Sequence, residues 1–378
     1  MKRELEHVEI PGEHEARERT WQLVSSAFGE RDAAPARASR RLVPALAVAA
    51  VAAVGAIVAA AVVTSPGRAL VHSIRQTIGV RNAKPALFSL PTSGRLLVTS
   101  DAGVWVLQAD GSKRRLGSYT SASWSPHGRY VVATRRNGLY ALTPDGDERW
   151  SLARPDVRFP RWTGTDSDTR IAYLTMSRLH VVGGDGKGDV DAGGLRAAAR
   201  IAPTWRPGAG FVLAYVNTRG RVHAYDAGHG SDFWSVRPTI SARFAQPRLL
   251  EWSNDGKRLV LVTADKVVLF GIRTARPLSI RSERVVDAAF RSGTHELAVI
   301  RRHGEESQVV LGSKVLFSTA GELRGLTWSP DGRWLLAGLP NADQWVFVST
   351  VDGRIRAVSN ISEQFRTQDF PRVEGWSP

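Results

Sequence analysis

The chain has 378 residues, of which 43 % are hydrophobic and 23 % charged, and its formal net charge is +15. This length and composition, with 12 tryptophans and 35 glycines, are typical of a folded, turn-rich protein and exclude a mainly disordered one. No cysteine is present, which excludes disulfides, thiolate zinc sites and cysteine nucleophiles.

The N-terminal segment, residues 1–41, predicts one short amphipathic helix. A Pro-Gly pair followed by acidic residues marks its start, because acidic side chains suit the positive end of a helix dipole. An apolar face recurs at helical spacing, and its members are Trp21, Val24 and Phe28. A lone helix in water cannot bury this face. We therefore expect residues 13–28 to contact a cytoplasmic protein partner or a membrane surface, with a marginal helix lacking a partner as the alternative.

The next 22 residues, from Leu42 to Val63, carry no charge. A helix rising about 1.5 Å per residue crosses the roughly 30 Å hydrocarbon layer over this length. A buried core helix seldom runs so far without a polar face. A cleaved signal peptide is the other alternative, but the preceding 41 residues exceed an ordinary n-region. The pattern predicts an uncleaved transmembrane helix over residues 42–64.

Basic residues flanking the span predict its orientation. Four arginines lie within about fifteen residues before it and two follow it, namely Arg31, Arg37, Arg40 and Arg41 against Arg68 and Arg75. This excess places the N-terminus in the cytoplasm. We therefore expect a single-pass cell-membrane protein whose C-terminal part is extracytoplasmic.

A juxtamembrane stalk, residues 65–85, leads into a strand-rich region, residues 86–378. Short apolar or alternating runs bounded by Gly, Asp, Asn and Pro fill this region, and no helical period of useful length appears. An aromatic residue before a turn recurs at intervals of 38 to 48 residues; the seven anchors are Trp124, Trp162, Trp205, Trp252, Phe290, Trp328 and Trp376. A period near 40 with about four strands per unit is the signature of a β-propeller. The predicted fold is all-β, a seven-bladed β-propeller, with six or eight blades as alternatives.

Two unmatched elements predict how the ring closes. The strand RLLVTS begins at residue 95, before the first anchor, and no strand follows the last anchor. We expect the C-terminal PRVEGWSP to lie beside RLLVTS and complete one sheet, which pairs the strand edges of the ring. PALFSLP, residues 85–91, is the alternative source of the first inner strand.

Several anchors open a repeated turn, as in WSPHGRY from Trp124, WSNDGKRL from Trp252 and WSPDGRW from Trp328. Proline presets φ, aspartate bonds back to the backbone and glycine accepts positive φ. The preceding indole can bury on the order of 150–250 Å² between neighbouring blades. We interpret the seven anchors as structural.

These turns and the apolar strands after them resemble the WD40-like (TolB-type, PD40) β-propeller repeats over about residues 86–378. Two further stretches, YALTPDGDERW at 140–150 and HAYDAGHGSDFW at 223–234, are similar to the outer-strand repeats of quinoprotein-type propellers. Both resemblances imply the same architecture. They imply little about function, because propellers serve many unrelated roles.

Tests for enzyme chemistry find no supporting motif. No Gly-x-Ser-x-Gly elbow occurs, and the adjacent Asp-Gly pairs lack the intervening residue of sialidase-type boxes. His223 and His229 flank a predicted loop without a metal-binding spacing, and residues 183–189 lack the spacing of a phosphate-binding loop. We predict no enzyme, no cofactor and no metal site.

The organisation predicts a binding or sensing module that engages a protein or an envelope polymer at a propeller face. A cytoplasmic tail, one span and an external domain also resemble bacterial anti-sigma factors, so a transmembrane regulator is the first alternative. That tail is short and lacks the cysteines of the usual zinc-containing domain. The second alternative is a propeller enzyme, hydrolase or quinoprotein-like, with an unidentified site. The predicted location disfavours nucleic acid as a partner.

Overall fold

The fold is taken from a computed structural model that describes residues 89–208, 210–227, 241–243, 246–271, 277–282 and 284–378. The N-terminal helix, the transmembrane helix and the stalk predicted above lie outside these ranges. Within them, no helix combines the length and the hydropathy needed to cross a bilayer.

The described chain forms seven four-stranded antiparallel sheets, which we number as blades 1 to 7. Blade 1 contains β1 (Arg95–Ser100), β2 (Gly103–Leu107), β3 (Lys113–Gly117) and the last strand, β28 (Arg372–Ser377). Blade 2 contains β4 (Ser121–Trp124), β5 (Val131–Arg135), β6 (Gly138–Leu142) and β7 (Glu148–Ala153). Blade 3 contains β8 (Val157–Gly164), β9 (Thr169–Thr175), β10 (Arg178–Gly183) and β11 (Val190–Arg196).

Blade 4 contains β12 (Thr204–Trp205), β13 (Val212–Val216), β14 (Arg221–Asp226) and β15 (Ser241–Arg243). Blade 5 contains β16 (Pro247–Trp252), β17 (Arg258–Thr263), β18 (Lys266–Gly271) and β19 (Pro277–Ser282). Blade 6 contains β20 (Val285–Phe290), β21 (Leu297–His303), β22 (Glu306–Leu311) and β23 (Lys314–Thr319). Blade 7 contains β24 (Arg324–Trp328), β25 (Trp334–Leu339), β26 (Gln344–Ser349) and β27 (Ile355–Ser359). The helix α1 (Ile361–Gln364) and two short 3-10 turns, Pro126–Gly128 and Pro340–Ala342, complete the elements of the described ranges.

The blades form a closed ring. In each sheet the inner strand lies at one edge; these strands are β4, β8, β12, β16, β20, β24 and β28. Each inner strand contacts that of the next blade, and β28 contacts both β24 and β4. The all-β, seven-bladed propeller predicted from the sequence is confirmed.

Ring closure occurs in blade 1, where the two ends of the strand-rich region meet. Strand β28 pairs with β1, so that Leu96 lies opposite Trp376 and Arg95 opposite Ser377. The pairing predicted for PRVEGWSP and RLLVTS is confirmed, and β28, not PALFSLP, is the inner strand of this blade.

The apolar core consists of layers between neighbouring blades. Seven clusters of buried side chains occur within the described ranges, and each combines residues of two adjacent blades with one anchor; the anchors are Trp376, Trp328, Trp252, Trp205, Trp124, Phe290 and Trp162. Trp328, for example, packs against Ala298 and Ile300 of blade 6. Its indole N–H donates to the Ala289 carbonyl of the same blade at 3.0 Å. Each aromatic ring therefore fills a space between two blades, which a smaller side chain would leave empty.

A buried serine organises the turn after the anchors of blades 2, 5 and 7. In blade 7 the Ser329 hydroxyl accepts from the Trp334 N–H at 2.9 Å and donates to Asp331. Ser253 has equivalent bonds to the Arg258 N–H and to Asp255, and both hydroxyls belong to fully buried residues. The glycine of each turn has φ between +63° and +65°, where a Cβ would be strained. Pro, Asp and Gly predict this turn from the sequence, whereas the role of the serine is evident only in the structure.

Candidate functional site

A central channel of about 1720 Å³ runs along the ring axis between the inner strands. The residue directly before the anchor lines the channel in every blade; these residues are Ser123, Arg161, Thr204, Glu251, Ala289, Thr327 and Gly375. The residue three positions before the anchor also lines it in every blade, as period-two alternation along a strand requires. These two positions before the anchor therefore supply channel-lining residues in every blade.

Irregular pairing bends most of the inner strands. β8, β16, β20, β24 and β28 each shift register against the second strand of their blade. A bulge adds an unpaired residue and redirects the side chains beside it. In β8 the shift falls between Arg158 and Arg161, and Phe159 within it has φ of 52°, which is rare for a bulky residue.

Three charged groups from blades 3, 5 and 6 converge in the channel. They are Arg161, Glu251 and Asp287, all half-buried, because the channel gives access to water while protein surrounds each group. This enclosure raises the pKa of Glu251 to about 8, with a further contribution from Asp287 and an opposing one from Arg161. Desolvation likewise raises the pKa of Asp287 to about 6 and lowers the pKa of Arg161. At neutral pH the channel therefore contains a mostly protonated Glu251 beside a mostly ionised Asp287.

Asp287 also connects two blades. Its carboxylate accepts from the Leu326 N–H at 2.9 Å and from its neighbour Ala288 at 2.8 Å. The first of these bonds joins blade 6 to the inner strand of blade 7. Because backbone amides favour the charged form, they oppose the effect of burial on the pKa of Asp287. Backbone amides of two blades therefore fix the Asp287 carboxylate in place. Within the described ranges, the Phe290 backbone is the one hydrogen-bond partner that lowers the pKa of Glu251.

Arginines surround the end of the channel where the inner strands begin, which we call the entry mouth. Its members are Arg158, Arg200, Arg248, Arg324 and Arg372, and all are exposed. Arg324 pairs with Glu322 at 3.1 Å and Arg372 with Glu374 at 3.0 Å. The other three form no ion pair with another described residue, so their guanidinium groups are accessible to an anionic ligand.

The opposite end, where the inner strands finish at the anchors, is the turn face. The Trp205 indole N–H donates to the Arg161 carbonyl at 2.9 Å. The buried indole N–H groups of Trp124, Trp162, Trp252 and Trp376 have no acceptor in the described part of the chain. Every anchor lies at the last residue of its inner strand or close to it.

The other residues singled out from the sequence are not among the described residues that line the channel. Trp21, Val24, Phe28 and His229 lie outside the described ranges. His223 lies on β14, stacks on Tyr215 at 5.3 Å and bonds to the Asn217 amide at 3.0 Å. Residues 183–189 include the end of β10 and the turn that leads into β11.

Sequence reasoning did not find the charged channel residues. No cluster of three or more potential metal ligands occurs among the residues that the structure describes. The available signal was positional, since Arg161 and Glu251 each stand directly before a tryptophan anchor. A charged residue at that position would otherwise be assigned to the solvated surface.

Comparisons with known proteins support the fold. No protein-family profile matches the sequence, and neither does any curated protein. A candidate 6-phosphogluconolactonase from Bacteroides fragilis has a TM-score of 0.52 over 76 % of this chain and 98 % of its own, at 12 % identity. The C-terminal WD40 domain of Sif2 has a TM-score of 0.51 over 78 % of this chain and 87 % of its own, at 9 % identity.

These similarities place the described region among seven-bladed β-propellers with WD40 structural neighbours. Identities this low show the fold alone, because one fold serves many functions. The TolB-type (PD40) resemblance and the quinoprotein-like resemblance stay predictions.

Proposed function

We propose that this protein is a single-pass membrane protein whose extracytoplasmic propeller binds a protein or an envelope polymer at the entry mouth. The membrane part of the proposal depends on the uncharged segment 42–64 and the excess of arginine before it. The binding part depends on the propeller fold, which commonly presents one face to a partner.

One observation supports the entry mouth over the turn face. Arg158, Arg200 and Arg248 are exposed at one end of the channel and form no ion pair with another described residue. Aspartates line the same end of the channel beside blades 7 and 1, namely Asp101, Asp343 and Asp369, whereas these three arginines lie together beside blades 3 to 5. A local cluster of one sign of charge attracts anionic partners and increases their local concentration. We therefore expect the partner to carry negative charge where it meets the channel.

Charge reversal tests which face binds. Full-length protein carrying Arg248→Glu should capture less envelope polymer or protein from a membrane fraction than the wild type. The matched control is Arg129→Glu, an exposed arginine on the turn face. Equal loss of capture in both variants would indicate a general charge effect and contradict the proposed face.

Reporter fusions test the topology. Fusions at Ala38 and Gly67 flank the predicted span and should report opposite sides of the membrane. Equal signals at the two positions would contradict a spanning helix at residues 42–64.

An anti-sigma-like regulator is the first alternative, in which the N-terminal segment passes the binding event to a cytoplasmic partner. Its support is the apolar face of Trp21, Val24 and Phe28. The full chain with Trp21→Ala or Phe28→Ala should then lose cytoplasmic proteins that the wild type co-purifies. Recovery of the same proteins from all three baits would remove this contact face.

A propeller enzyme is the second alternative, and the channel carboxyls favour it. The pKa values of Glu251 and Asp287 are raised to about 8 and about 6, so one supplies a proton and the other accepts one near neutral pH. Turnover of chromogenic esters or glycosides that disappears in Glu251→Gln would support this alternative. Equal background turnover in wild type and variant would count against it.

A further inference from the structure

A second, smaller cavity of about 300 Å³ opens beside the entry mouth, between blades 1, 2 and 3. Three arginines from three blades line it, namely Arg136, Arg158 and Arg372. It shares four lining residues with the central channel: Thr120, Ser121, Phe159 and Arg372. A ligand group held in this side pocket would therefore leave the rest of the ligand in the channel.

The side pocket has an excess of positive charge. Its lining contains three guanidinium groups and one carboxylate, that of Asp156, and a second carboxylate, that of Glu374, pairs with Arg372. Arg136 and Arg158 form neither an ion pair nor a side-chain hydrogen bond with another described residue. Arg372 is oriented by the bond from its Nε to Glu374 at 3.0 Å, which leaves its terminal N–H groups available.

Hydroxyl groups line the same wall of the side pocket. The Thr120 hydroxyl donates to the Thr134 carbonyl at 3.2 Å and also lies 3.5 Å from the Thr134 hydroxyl, so its proton is already engaged. Ser121 lies opposite Thr134 on the β4–β5 ladder and lines both cavities, and its hydroxyl has no partner among the described residues. One free O–H donor therefore accompanies the guanidinium groups.

The chain approaches this pocket in an unusual backbone conformation. Asp156 and Phe159 both have positive φ, at 48° and 52°, and both line the pocket. Between them Arg158 stands at the edge of the register shift in β8. Such conformations persist where the surrounding structure enforces them and are frequent at ligand-binding positions.

We propose that the side pocket binds a phosphate group of the ligand that enters the channel, a proposal that rests on the proposed function of the entry mouth. Arginine forks match phosphate oxygens with paired, charge-assisted hydrogen bonds. Three guanidiniums approaching from three blades surround a group in three dimensions, which fits a tetrahedral anion better than a planar carboxylate. The three guanidiniums and the carboxylates of Asp156 and Glu374 together leave an excess of one positive charge, which favours an anion.

Calorimetric titration of the full-length protein with inorganic phosphate tests this inference, with ionic strength held constant by sodium chloride. We expect saturable binding that weakens about tenfold or more in Arg158→Gln and in Arg136→Gln, since each removes charge-assisted hydrogen bonds. Arg158→Lys should recover part of the affinity, because it keeps the charge but not the fork. Arg129→Gln, on the turn face, should bind phosphate as the wild type does.

Acetate and sulfate test whether the pocket selects a tetrahedral dianion over a planar monoanion. We expect sulfate to compete with phosphate and acetate to compete at least tenfold less well, since it is planar and carries one charge. Equal phosphate affinity in wild type and Arg158→Gln, or equal competition by acetate, would overturn the proposal. Should Arg158→Gln fail to fold, Ser121→Ala gives the milder test, with an expected loss of severalfold in affinity.

The test separates this inference from the proposed function. Arg248 lines the channel but not the side pocket. Phosphate affinity should therefore change little in Arg248→Glu, while capture of the macromolecular partner is lost. Loss of capture in Arg248→Glu together with phosphate binding that no pocket variant affects would leave the proposed function standing and remove the side pocket.

Discussion

The turn face and the entry mouth of the propeller use their polar groups in different ways. On the turn face, side chains bond across blade boundaries; these bonds are Arg95 to the Gly128 carbonyl, Arg206 to the Gly256 carbonyl, Asn254 to the Phe290 carbonyl, Ser292 to the Ser329 carbonyl, Thr92 to Asp331 and His295 to Asp255, at 2.7 to 3.1 Å. At the entry mouth Arg158, Arg200 and Arg248 form no ion pair with another residue of the described ranges.

This difference separates assembly from recognition. Cross-blade hydrogen bonds and buried aromatic rings fix one arrangement of the blades, so substitutions at the turn face should lower the free energy of unfolding. Exposed guanidiniums contribute little to stability, because surface charge is well solvated. Substitutions of Arg158, Arg200 and Arg248 should therefore alter binding and change stability little.

Among substitutions at the two faces, Trp328→Ala should cause the largest loss of stability. The substitution removes a buried indole from the layer between blades 6 and 7 and also its bond to the Ala289 carbonyl. We expect the free energy of unfolding to fall by about 3–5 kcal/mol. Urea unfolding followed by far-ultraviolet circular dichroism measures it. Tyr130→Ala, an aromatic on the same face with 37 % exposure that stacks on Trp162, should cost only about 1–2 kcal/mol.

Ser329→Ala tests the buried hydroxyl of the blade 7 turn. The variant leaves the Trp334 N–H without its acceptor and removes one of the two donors to Asp331 Oδ1, which keeps the Arg333 N–H. A loss of about 1–3 kcal/mol in the free energy of unfolding is expected, because the orphaned amide is buried. The matched control is Ser167→Ala in the exposed turn of blade 3, with no expected change. Similar losses in both variants would assign no special role to Ser329.

The sequence could predict the ring because its signals are local. Trp252 and Trp328 each precede a turn whose residue types have strong backbone preferences. The pairing that closes the ring could also be predicted, because RLLVTS had no inner strand beside it and PRVEGWSP had no sheet to join. The structural role of Ser329 could not be predicted, because a serine at that position resembles any polar turn residue until its burial is known.

The candidate site could not be predicted in the same way. Glu251 and Asp287 lie on different blades, and only ring closure brings them to one channel. Register shifts in β16 and β20 redirect the side chains, and no local pattern in the sequence marks such shifts. The side pocket combines Arg136 with Arg372, which stand in different blades at opposite ends of the strand-rich region.

Glu251→Gln tests the interior of the channel through pH. The pKa of Glu251 is raised to about 8, so the folded state binds more protons than the unfolded state between the ordinary value of 4.5 and 8. The stability that this proton contributes is fully present below 4.5 and is lost as pH rises through 8. At pH 8.5 we expect the variant to be more stable than the wild type by about 1–2 kcal/mol, a reduced figure because the channel admits water.

Comparing the wild type with the variant separates the effect of Glu251 on stability from that of Asp287. Asp287 has a pKa of about 6 and changes the free energy of unfolding below pH 6. Thermal unfolding of both proteins at pH 5 and pH 8.5 gives the measurement. A wild-type minus variant difference that stays constant across this range would show that Glu251 titrates at its ordinary value.

His295→Ala should weaken one contact between blades 5 and 6. The imidazole bonds to Asp255 at 2.7 Å, and with the Ser253 hydroxyl it holds the pKa of Asp255 at about 2 against the opposing effect of burial. His295 is half exposed, so we expect a loss of only about 0.2–1 kcal/mol at neutral pH. His303→Ala, an exposed histidine at the end of β21, is the control. No measurable difference between the two variants would show that the pair does not contribute to cohesion of the turn face.

Arg248→Gln, at the entry mouth, should have the smallest effect on stability of the substitutions at the two faces. Its guanidinium is exposed at the entry mouth and pairs with no described acid, so the free energy of unfolding should change by no more than about 0.5 kcal/mol. The same substitution should reduce capture of an anionic partner, because it removes a charge from the rim of the channel. Stability and capture measured on one preparation separate the two effects. A stability loss approaching that of Ser329→Ala would mean that the entry mouth also holds the blades together, and the division between the two faces would fail.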